Sequence, residues 1–447
     1  MLPAGMSHNK LLPSTSHRLS AHSETRVMSS EIATKPEIIV VALSIHPHRG
    51  SEPGKGWWWA CALSSHFRLH LVTQEHSREW CDHQSIVKSD GWSFHTTPIH
   101  VTSWKFPTGY RQYLAWLKEV MAVSRQVMEQ FPIQGLCHVT LGSFRFLPRY
   151  DRLGIPYTIG PLGGGESSPL RITWKRPVPF QDKIKETLRP VINNSFAVLP
   201  HLRSCLKSAR LVLNTSRETE RVVRRMGARR TAVIFPDAYD SPVDVKKVTA
   251  QRSLQVDSVK KQIHLLWQGR SLWWKGPDLA LLVLRRSLDA GLCVDLTMVS
   301  EWDNAFGQGV RELAEKLGLT PHLRFVANMT REKFLELSRD HHGMLATSLH
   351  DSGGIPLIEA QALGLPCLTL GLGGHELAAC PEAGVSKSPH QIEAFVTRAV
   401  DCLTRWQQDP GRWLEESKKG IIFSTQFTIT RLAKDVGEFI VPALMKS

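Results

Sequence analysis

Residues 351–360 read Asp-Ser-Gly-Gly-Ile-Pro-Leu-Ile-Glu-Ala, and they set the fold class expected for the whole chain. The apolar residues 344–346 before them predict a buried strand, and an apolar helical pattern begins at Leu357. Pro356 occupies a position that a first helical turn accepts. A strand, a glycine turn and a helix N-terminus together form an anion site, because unpaired amides and the helix dipole favour negative charge.

Two carboxylates flank this junction, Asp351 before it and Glu359 one turn into the helix. A carboxylate in such a place can accept hydrogen bonds from sugar or ribose hydroxyls while the amides hold a phosphate. Junctions of this kind occur in every α/β domain, and acidic residues near helix starts are common caps. The stretch alone therefore leaves an ordinary strand–helix turn as the alternative.

Length and composition indicate a globular protein of two or three domains, because the 447 residues are 42% hydrophobic and 21% charged. No run reaches the roughly 18 to 20 apolar residues of a membrane span, and the N-terminus lacks an apolar signal core. The eight cysteines are scattered without a C-x-x-C pair, which favours a reducing compartment. We therefore expect a cytoplasmic protein.

Positive charge is concentrated in the first half of the chain. Residues 1–236 hold 31 Lys/Arg and 16 Asp/Glu, an excess of 15, whereas residues 237–447 hold 24 and 25. Residues 171–210 are basic and contain Trp174 and Phe180, a pattern compatible with peripheral contact at the anionic inner face of a membrane. A phosphorylated acceptor and nucleic acid are other anionic partners, and a solvated helix face is the simpler interpretation.

Strand and helix patterns alternate twice along the chain and predict two doubly wound, Rossmann-like α/β domains that face each other across a cleft. The predicted parts are a disordered tail at 1–36, an N-terminal domain at 37–238, a linker at 239–262, a C-terminal domain at 263–425 and a final helix at 426–447. In open parallel sheets, ligands bind outside the carboxyl ends of the strands. His138, residues 163–166, Arg270 and Asp351 are all predicted there.

Several well-known motifs are absent. Residues 50–56 are one residue short of a phosphate-binding P-loop, and G-x-G-x-x-G does not occur, so NAD binding is not supported. The segment then predicts a glycine-rich turn with Gly54 and Gly56, whose backbone can closely approach a ligand. A plain strand-to-helix turn is the alternative. His375 and Glu376 begin an H-E-x-x-H pattern, but Ala379 ends it, and we expect no metal site.

Arg270 and Lys275 lie five residues apart across one strand-to-helix loop. An arginine fork and a lysine point charge can bind a diphosphate together. With the anion site after Asp351 they could neutralise a leaving nucleoside diphosphate without a metal, a type of stabilisation that is usually the largest catalytic contribution. An isolated Arg and Lys can also be ordinary surface charge.

Four blocks in order carry a resemblance to a known family: Arg270-x4-Lys275, Asp351-x7-Glu359 within a G-x-P-x-x-E-A frame, Gly364-x-Pro366 and Gly373-Gly374-x-Glu376. Together they resemble the retaining nucleotide-sugar glycosyltransferases of family 4, which have the two-Rossmann GT-B fold. The likeness covers residues 263–425. The N-terminal segments 49–57, 138–140 and 160–166 look like segments common in a bacterial branch of that family.

The resemblance implies roles for the donor-side residues. Arg270 and Lys275 would bind the donor diphosphate, Glu359 would hold the donor ribose, and Asp351 would lie near the donor sugar. The backbone at Gly353, Gly354, Ile355 and Leu357 would meet phosphate or sugar. Asp351 is shorter than the family's usual Glu, and Gly353 replaces a usual aromatic residue, which can alter sugar placement.

The resemblance also implies roles for the N-terminal half. Gly54 and Gly56 would approach the diphosphate, and His138 would lie beside the reacting sugar. Gly163, Gly164, Gly165 and Glu166 are assigned to the acceptor side. The last helix would cross back to the N-terminal domain.

The function implied is transfer of a hexose-type sugar, with retention and without a metal or bound cofactor, from a UDP-, GDP- or ADP-sugar. The acceptor would be lipid-linked or a polysaccharide precursor, as in cell-envelope glycan biosynthesis. Two alternatives remain open. One is a GT-B enzyme of another class, a sugar-nucleotide epimerase or a phosphorylase. The other is a non-catalytic basic module that docks on a membrane, with nucleic acid a less favoured partner.

Overall fold

The computed structural model describes residues 35–49, 51–102, 107–239, 243–385 and 391–445. The predicted disordered tail at 1–36 therefore lies outside the described residues except for its last two positions, and Gly50 also lies outside them. None of the described helices is both long enough and apolar enough to cross a membrane.

A seven-stranded parallel sheet forms the N-terminal domain, in the order β3-β2-β1-β4-β5-β6-β7. Its strands are β1 Glu37–Ala42, β2 Arg68–Gln74, β3 Ser93–Thr97, β4 Gly135–Thr140, β5 Tyr157–Leu162, β6 Leu211–Asn214 and β7 Thr231–Val233. Alternate residues of β1 enter two different cores, with Ile38 and Val40 on one face and Ile39 and Val41 on the other. Burial on both faces explains why β1 is apolar throughout.

Helices cover both faces of this sheet. They are α1 Ser51–Ser64, α2 Glu75–Cys81, α3 Ser85–Ser89, α4 Thr108–Gln130, α5 Leu170–Lys175, α6 Phe180–Phe196, α7 Pro200–Ser208 and α8 Arg217–Arg225. The apolar middle of α1, with Trp57 to Trp59, packs on one face, whereas Trp116 of α4 packs on the other.

The predicted loop through Gly56 is too long, because α1 already begins at Ser51 and both Gly54 and Gly56 are helical. The Cβ atom of any side chain at Gly54 would lie 2.0 Å from the carbonyl oxygen of Arg49, and a Cβ atom at Gly56 would lie 2.4 Å from the carbonyl oxygen of Ser44. These glycines therefore allow the helix to pack closely on the preceding loop. Their poor helix propensity suggested a turn from sequence alone.

A six-stranded parallel sheet forms the C-terminal domain, in the order β10-β9-β8-β11-β12-β13. Its strands are β8 Ile263–Gln268, β9 Val294–Ser300, β10 Leu323–Ala327, β11 Gly343–Ala346, β12 Cys367–Thr369 and β13 Gly384–Val385. The strand order reverses between β1 and β4 in one sheet and between β8 and β11 in the other. The two doubly wound parallel-sheet domains predicted from the sequence are therefore confirmed.

The helices of this half are α9 Val245–Ser253, α10 Val256–Lys261, α11 Pro277–Asp289, α12 Ala305–Lys316, α13 Arg331–Ser338, α14 Ile355–Ala362, α15 His375–Ala378, α16 Ile392–Gln408 and α17 Pro410–Ser424. Two of them, α9 and α10, occupy most of the segment predicted as a linker. Both pack on α17, and the buried Arg252 of α9 donates hydrogen bonds to the carbonyls of Leu363 and His341, each at 2.7 Å.

The chain returns to the N-terminal domain at its end. After α18 Ile429–Asp435, a π-helical turn, Val436–Ile440, leads into α19 Val441–Met445. Leu432, Val436 and Leu444 are buried in the same core as α1 and one face of β1. This apolar contact ties the end of the chain to the first domain.

A short segment of the N-terminal domain is in turn bound to the C-terminal domain. Ile172 of α5 and Val178 are buried in the core that β8 and α11 form. Between them the buried Arg176 pairs with Asp278 and donates a hydrogen bond to the carbonyl of Trp273 at 2.8 Å. The two domains are thus linked at the edge of the cleft as well as by the chain connections.

The final segment gives a stability prediction. Leu432→Ala removes a side chain with no exposed surface and leaves a cavity, so it should lower the free energy of unfolding by about 2 to 5 kcal/mol. Leu254→Ala is the matched control, since Leu254 is 86% exposed and should change stability by less than about 0.5 kcal/mol. Urea unfolding followed by tryptophan fluorescence compares the two. Equal losses in both variants would show that the return segment does not contribute to the core.

Candidate active site

Three charged or polar side chains meet at the carboxyl ends of neighbouring strands. Lys275 ends a short 3-10 turn after β8, Asp351 follows β11, and His375 begins α15 after β12. The ammonium group of Lys275 donates to Oδ2 of Asp351, and Nε2 of His375 lies 3.7 Å from the same oxygen. The topology thus brings together Lys275 and Asp351, as predicted from the motif order. In the sequence analysis, His375 was noted only as the first residue of an incomplete H-E-x-x-H metal motif.

Electrostatics keep the Asp351 carboxylate charged. Burial by itself would raise the pKa of Asp351, but Lys275 and His375 outweigh it and hold that pKa well below its usual range. The Asp351 carboxylate is therefore the charged partner of Lys275 in this ion pair.

Two glycine-bearing loops touch next to this pair. The carbonyl of Asp351 accepts a hydrogen bond from the Gly374 amide at 2.7 Å. A side chain at Gly354 would begin 2.4 Å from Cβ of Ala378, and one at Gly374 would begin 2.7 Å from the Gly353 carbonyl oxygen. Because both loops lack side chains here, their backbones pack directly against each other.

The start of α14 leaves backbone donors available. Within the described residues, the amides of Gly354 and Ile355 donate no hydrogen bond, and Pro356 has no amide proton. Leu357 is already bonded, since its amide donates to the Gly354 carbonyl at 2.9 Å. Of the four predicted backbone contacts, Gly354 and Ile355 can therefore serve an anion most directly.

Glu359 lies within α14 and is held by a residue that the sequence did not reveal. Nε of Arg331, the first residue of α13, donates to Oε1 of Glu359. Burial raises the pKa of Glu359, and Arg331 opposes that shift. The Arg331 guanidinium also lies 5.7 Å from the ring of Tyr239. No spacing in the sequence relates positions 331 and 359, because they are on different helices.

Arg270 lies exposed in the loop after β8. Its guanidinium forms no hydrogen bond or salt bridge with any residue that the structure describes. An unpaired arginine on the same loop as Lys275 is available to a ligand anion.

The predicted acceptor-side loop contacts the Asp351 loop directly. A side chain at Gly163 would begin 2.8 Å from Cβ of Ser352, and one at Gly373 would begin 3.2 Å from Cγ of Glu166. Glu166 itself is buried and fully bonded: it accepts from the Gly164 amide and Ser216 Oγ, both at 2.7 Å. Thr219 donates to the same carboxylate, and the Gly165 amide donates to Thr219. Glu166 and its hydrogen bonds therefore stabilise the observed conformation of the glycine loop 163–165.

A second charged group, which the sequence missed, faces Gly353 from the N-terminal domain. Lys55 of α1 is buried and donates to Glu52 at 3.0 Å. Asp237, just after β7, is also buried, and its Oδ2 lies 3.2 Å from where a side chain at Gly353 would begin. Burial raises the pKa of Asp237 to about 6, with Lys55 opposing and Glu52 adding to the shift. Glu52 and Lys55 lie within the segment 49–57 that the sequence analysis singled out, whereas Asp237 lies outside the segments named there.

His138 lies near the carboxyl end of β4, two residues before Thr140, as the sequence analysis predicted. Its side chain has no exposed surface, Nδ1 is 2.7 Å from the Tyr150 hydroxyl, and Nε2 is 3.3 Å from the Leu141 carbonyl oxygen. Burial lowers the pKa of His138 to about 4. The role beside a reacting sugar that the resemblance implies stays a prediction.

The described residues contain no group of three His, Cys, Asp or Glu side chains arranged to hold a metal ion.

Asp237 gives a pH-dependent prediction. Because its folded pKa is raised from 3.8 to about 6, protonation stabilises the folded state. That contribution is fully present below pH 3.8 and is lost as pH rises to 6. Asp237→Asn should therefore gain stability relative to the wild type between pH 4 and 7, by up to about 3 kcal/mol. Unfolding in urea across this range measures the difference.

The exposed Asp303 provides the control, and the stability of Asp303→Asn is measured over the same pH range. A stability difference for Asp237→Asn that does not change with pH would show that Asp237 is not held as a buried acid.

Residues 252–419 match the model of the family described as Glycosyl transferases group 1. A D-inositol 3-phosphate glycosyltransferase of Geodermatophilus obscurus is 32% identical over 175 residues, which are 37% of this chain and 38% of that protein. A protein of the same name from Corynebacterium aurimucosum is 22% identical over 245 residues, or 52% and 57%. The chain thus spans between about two fifths and three fifths of these relatives' length.

Solved structures resemble nearly the whole chain. A sucrose-phosphate synthase from Thermosynechococcus elongatus has a TM-score of 0.62 at 15% identity, covering 92% of this chain and 100% of that one. The Anabaena protein HepE, in complex with UDP and glucose, has a TM-score of 0.53 at 13% identity, with 91% and 99% covered. Such low identities establish the fold alone. The chain therefore has the GT-B fold of these structures, and its residues 252–419 are similar to the glycosyl transferases group 1 family.

Proposed function

We propose that this chain is a glycosyltransferase that moves a sugar from a nucleotide-diphosphate sugar to an acceptor, with retention and without a metal. The observation that carries the proposal is that Lys275, with Arg270 on the same loop, and the free amides of Gly354 and Ile355 follow the neighbouring strands β8 and β11. Together they provide the positive potential that a diphosphate requires.

The donor diphosphate would lie between Arg270, Lys275 and the start of α14. On binding, it would share Lys275 with Asp351, and the carboxylate of Asp351 would be free to accept hydrogen bonds from sugar hydroxyls. Glu359, buried and oriented by Arg331, would accept bonds from the ribose hydroxyls. UDP is the first nucleotide to test, because the similar HepE structure contains UDP and glucose.

In the transfer step, the bond from the anomeric carbon to the phosphate oxygen breaks and the acceptor oxygen bonds to the same carbon from the same face. The acceptor proton passes to the departing phosphate oxygen. The two cations and the amides would stabilise the charge that develops on the diphosphate, which is the main catalytic contribution expected of this site. Closure of the cleft over the donor would exclude water and limit hydrolysis.

The acceptor would enter from the N-terminal domain, past the loop of Gly163 to Glu166. The names of the relatives indicate a phosphorylated acceptor, and the basic excess of residues 1–236 suits one. We favour a lipid-linked or polysaccharide-precursor acceptor, handled by a cytoplasmic protein that contacts an anionic membrane. Trp174 and Phe180, which are 46% and 66% exposed amid basic residues, support that contact.

Lys275→Ala tests the role of the diphosphate site. Loss of this cation should lower turnover of the nucleotide sugar by about a hundredfold or more, because charge on the leaving diphosphate is then less stabilised. Release of the nucleoside diphosphate in the presence of acceptor measures the rate. The exposed Lys316 provides the control, and Lys316→Ala should leave turnover unchanged.

The melting temperature of Lys275→Ala must be measured alongside, because the change leaves Asp351 without its partner. A folded variant with wild-type turnover would contradict the proposal. Conversion of the donor to an isomer or to a sugar phosphate without any acceptor would indicate an epimerase or a phosphorylase.

A further inference from the structure

Exposed apolar side chains are concentrated on one part of the N-terminal domain. Twelve large hydrophobic residues are exposed in the described part of the chain, and eight of them fall within residues 170–198. On α6 they include Phe180, Ile184, Leu188 and Ile192, which are four residues apart and therefore share one side of the helix. We call these four residues the α6 ridge. An exposed apolar patch of this extent is unusual for a surface without a partner.

A groove of about 660 Å³ lies beside the ridge, between the start of α4, the loop 141–146 and α6. Ile192 belongs to both the groove and the ridge, so the two surfaces are continuous. The other apolar side chains that line it are Tyr110, Tyr113, Leu114, Leu141, Phe146 and Phe196, and the cations that line it are Arg145, Lys185 and Arg189. A cavity of this volume suits a small ligand.

The charge of the groove is positive. No Asp or Glu is among the described residues that line it, although Glu186 and Asp182 pair with Arg189 and Lys185 from outside. Burial and the nearby Arg189 lower the pKa of Arg145, which means that the two guanidinium groups repel each other. An anion placed between them would relieve that repulsion.

The groove leads to the candidate active site. The Arg145 guanidinium donates to Asn193 Oδ1 and to the Gly164 carbonyl. Within the described residues its Nη1 has no hydrogen-bond partner. Gly163, the next residue back, touches Ser352 beside Asp351. A group bound to Arg145 therefore lies one loop away from the proposed site of transfer.

We propose that the groove binds the acceptor as a phosphate-bearing lipid, with the phosphate at Arg145 and Arg189 and the apolar chain along the α6 ridge. This inference rests on the proposed function, whose acceptor it defines. A soluble phosphorylated sugar would bind the same cations but would not contact the exposed α6 ridge. The two sources of phosphate can therefore be separated by experiment.

The probes are dihexanoyl phosphatidic acid below its micelle concentration and glycerol 3-phosphate, which has the same charged group without acyl chains. Isothermal titration with the full chain should show the lipid binding at least about tenfold more tightly, because acyl methylenes leave water. Dihexanoyl phosphatidylcholine, with no net charge, should bind at least tenfold more weakly than phosphatidic acid.

Variants separate the two halves of the site. Lys185→Gln should weaken binding of both phosphates by about fivefold, and Arg145→Gln should weaken it further. Leu188→Ser should weaken only the lipid, whereas Ile422→Ser, at an exposed apolar position in the C-terminal domain, should change neither. Lys185 is exposed and pairs only with Asp182 among the described residues, so its variant remains informative if Arg145→Gln misfolds the glycine loop.

Equal affinity for the two phosphates would overturn the lipid assignment and favour a soluble acceptor. Unchanged binding in Lys185→Gln and Arg145→Gln would overturn the groove itself. Nucleotide-sugar turnover with unimpaired folding but no lipid binding would reject this inference alone. Lipid binding without any nucleotide-sugar turnover would instead reject the proposed function.

Discussion

The ion pair between Lys275 and Asp351 is the interaction on which the site depends. It joins the loops after β8 and β11, the strands on either side of the reversal in strand order. Both side chains are mostly buried, and removing one partner from such a pair is costly because the other is left without compensation. By fixing Asp351, the pair also fixes the turn that leads into α14. A bound diphosphate would have to compete for Lys275, so this contact couples ligand binding to loop position.

Close backbone contact is the second constraint. A Cβ atom at Gly354, Gly374 or Gly163 would lie only 2.4 to 2.8 Å from an atom of a facing loop or helix. Glycine at these three positions therefore permits the close packing, which brings residues of both domains to Asp351. The buried acids and bases around Gly353, among them Asp237 and Lys55, add a charge network that spans the cleft. The cleft surfaces are thus polar and closely fitted.

Much of the fold could be predicted from the sequence, because buried parallel strands are short apolar runs and the glycine turns follow them. Arg270, Lys275 and Asp351 were placed correctly after their strands for that reason. Features that depend on long-range packing could not be predicted. Gly54 and Gly56 suggested a turn, yet they lie in α1. Their lack of a side chain makes room there for the carbonyl oxygens of Arg49 and Ser44.

The same limit applies to individual side chains of the site. The strand pattern placed His138 near the end of β4, but it could not locate Tyr150 and Leu141, which contact the buried ring. The pairing of Arg331 with Glu359 joins two helices, and Asp237 reaches Gly353 from the other domain. Sequence spacing carries no signal for contacts of this kind.

Binding of a nucleoside diphosphate at the start of α14 can be measured by thermal unfolding with UDP, GDP, ADP and their common sugars. The proteins to compare are the wild type, Glu359→Ala and the exposed control Glu336→Ala. A ligand at 100 times its dissociation constant adds about 2.7 kcal/mol of stability. If the C-terminal domain binds the nucleotide, one nucleotide should stabilise the wild type and the control but not Glu359→Ala. Stabilisation of none of the three proteins by any nucleotide, or equal stabilisation of all three, would contradict it.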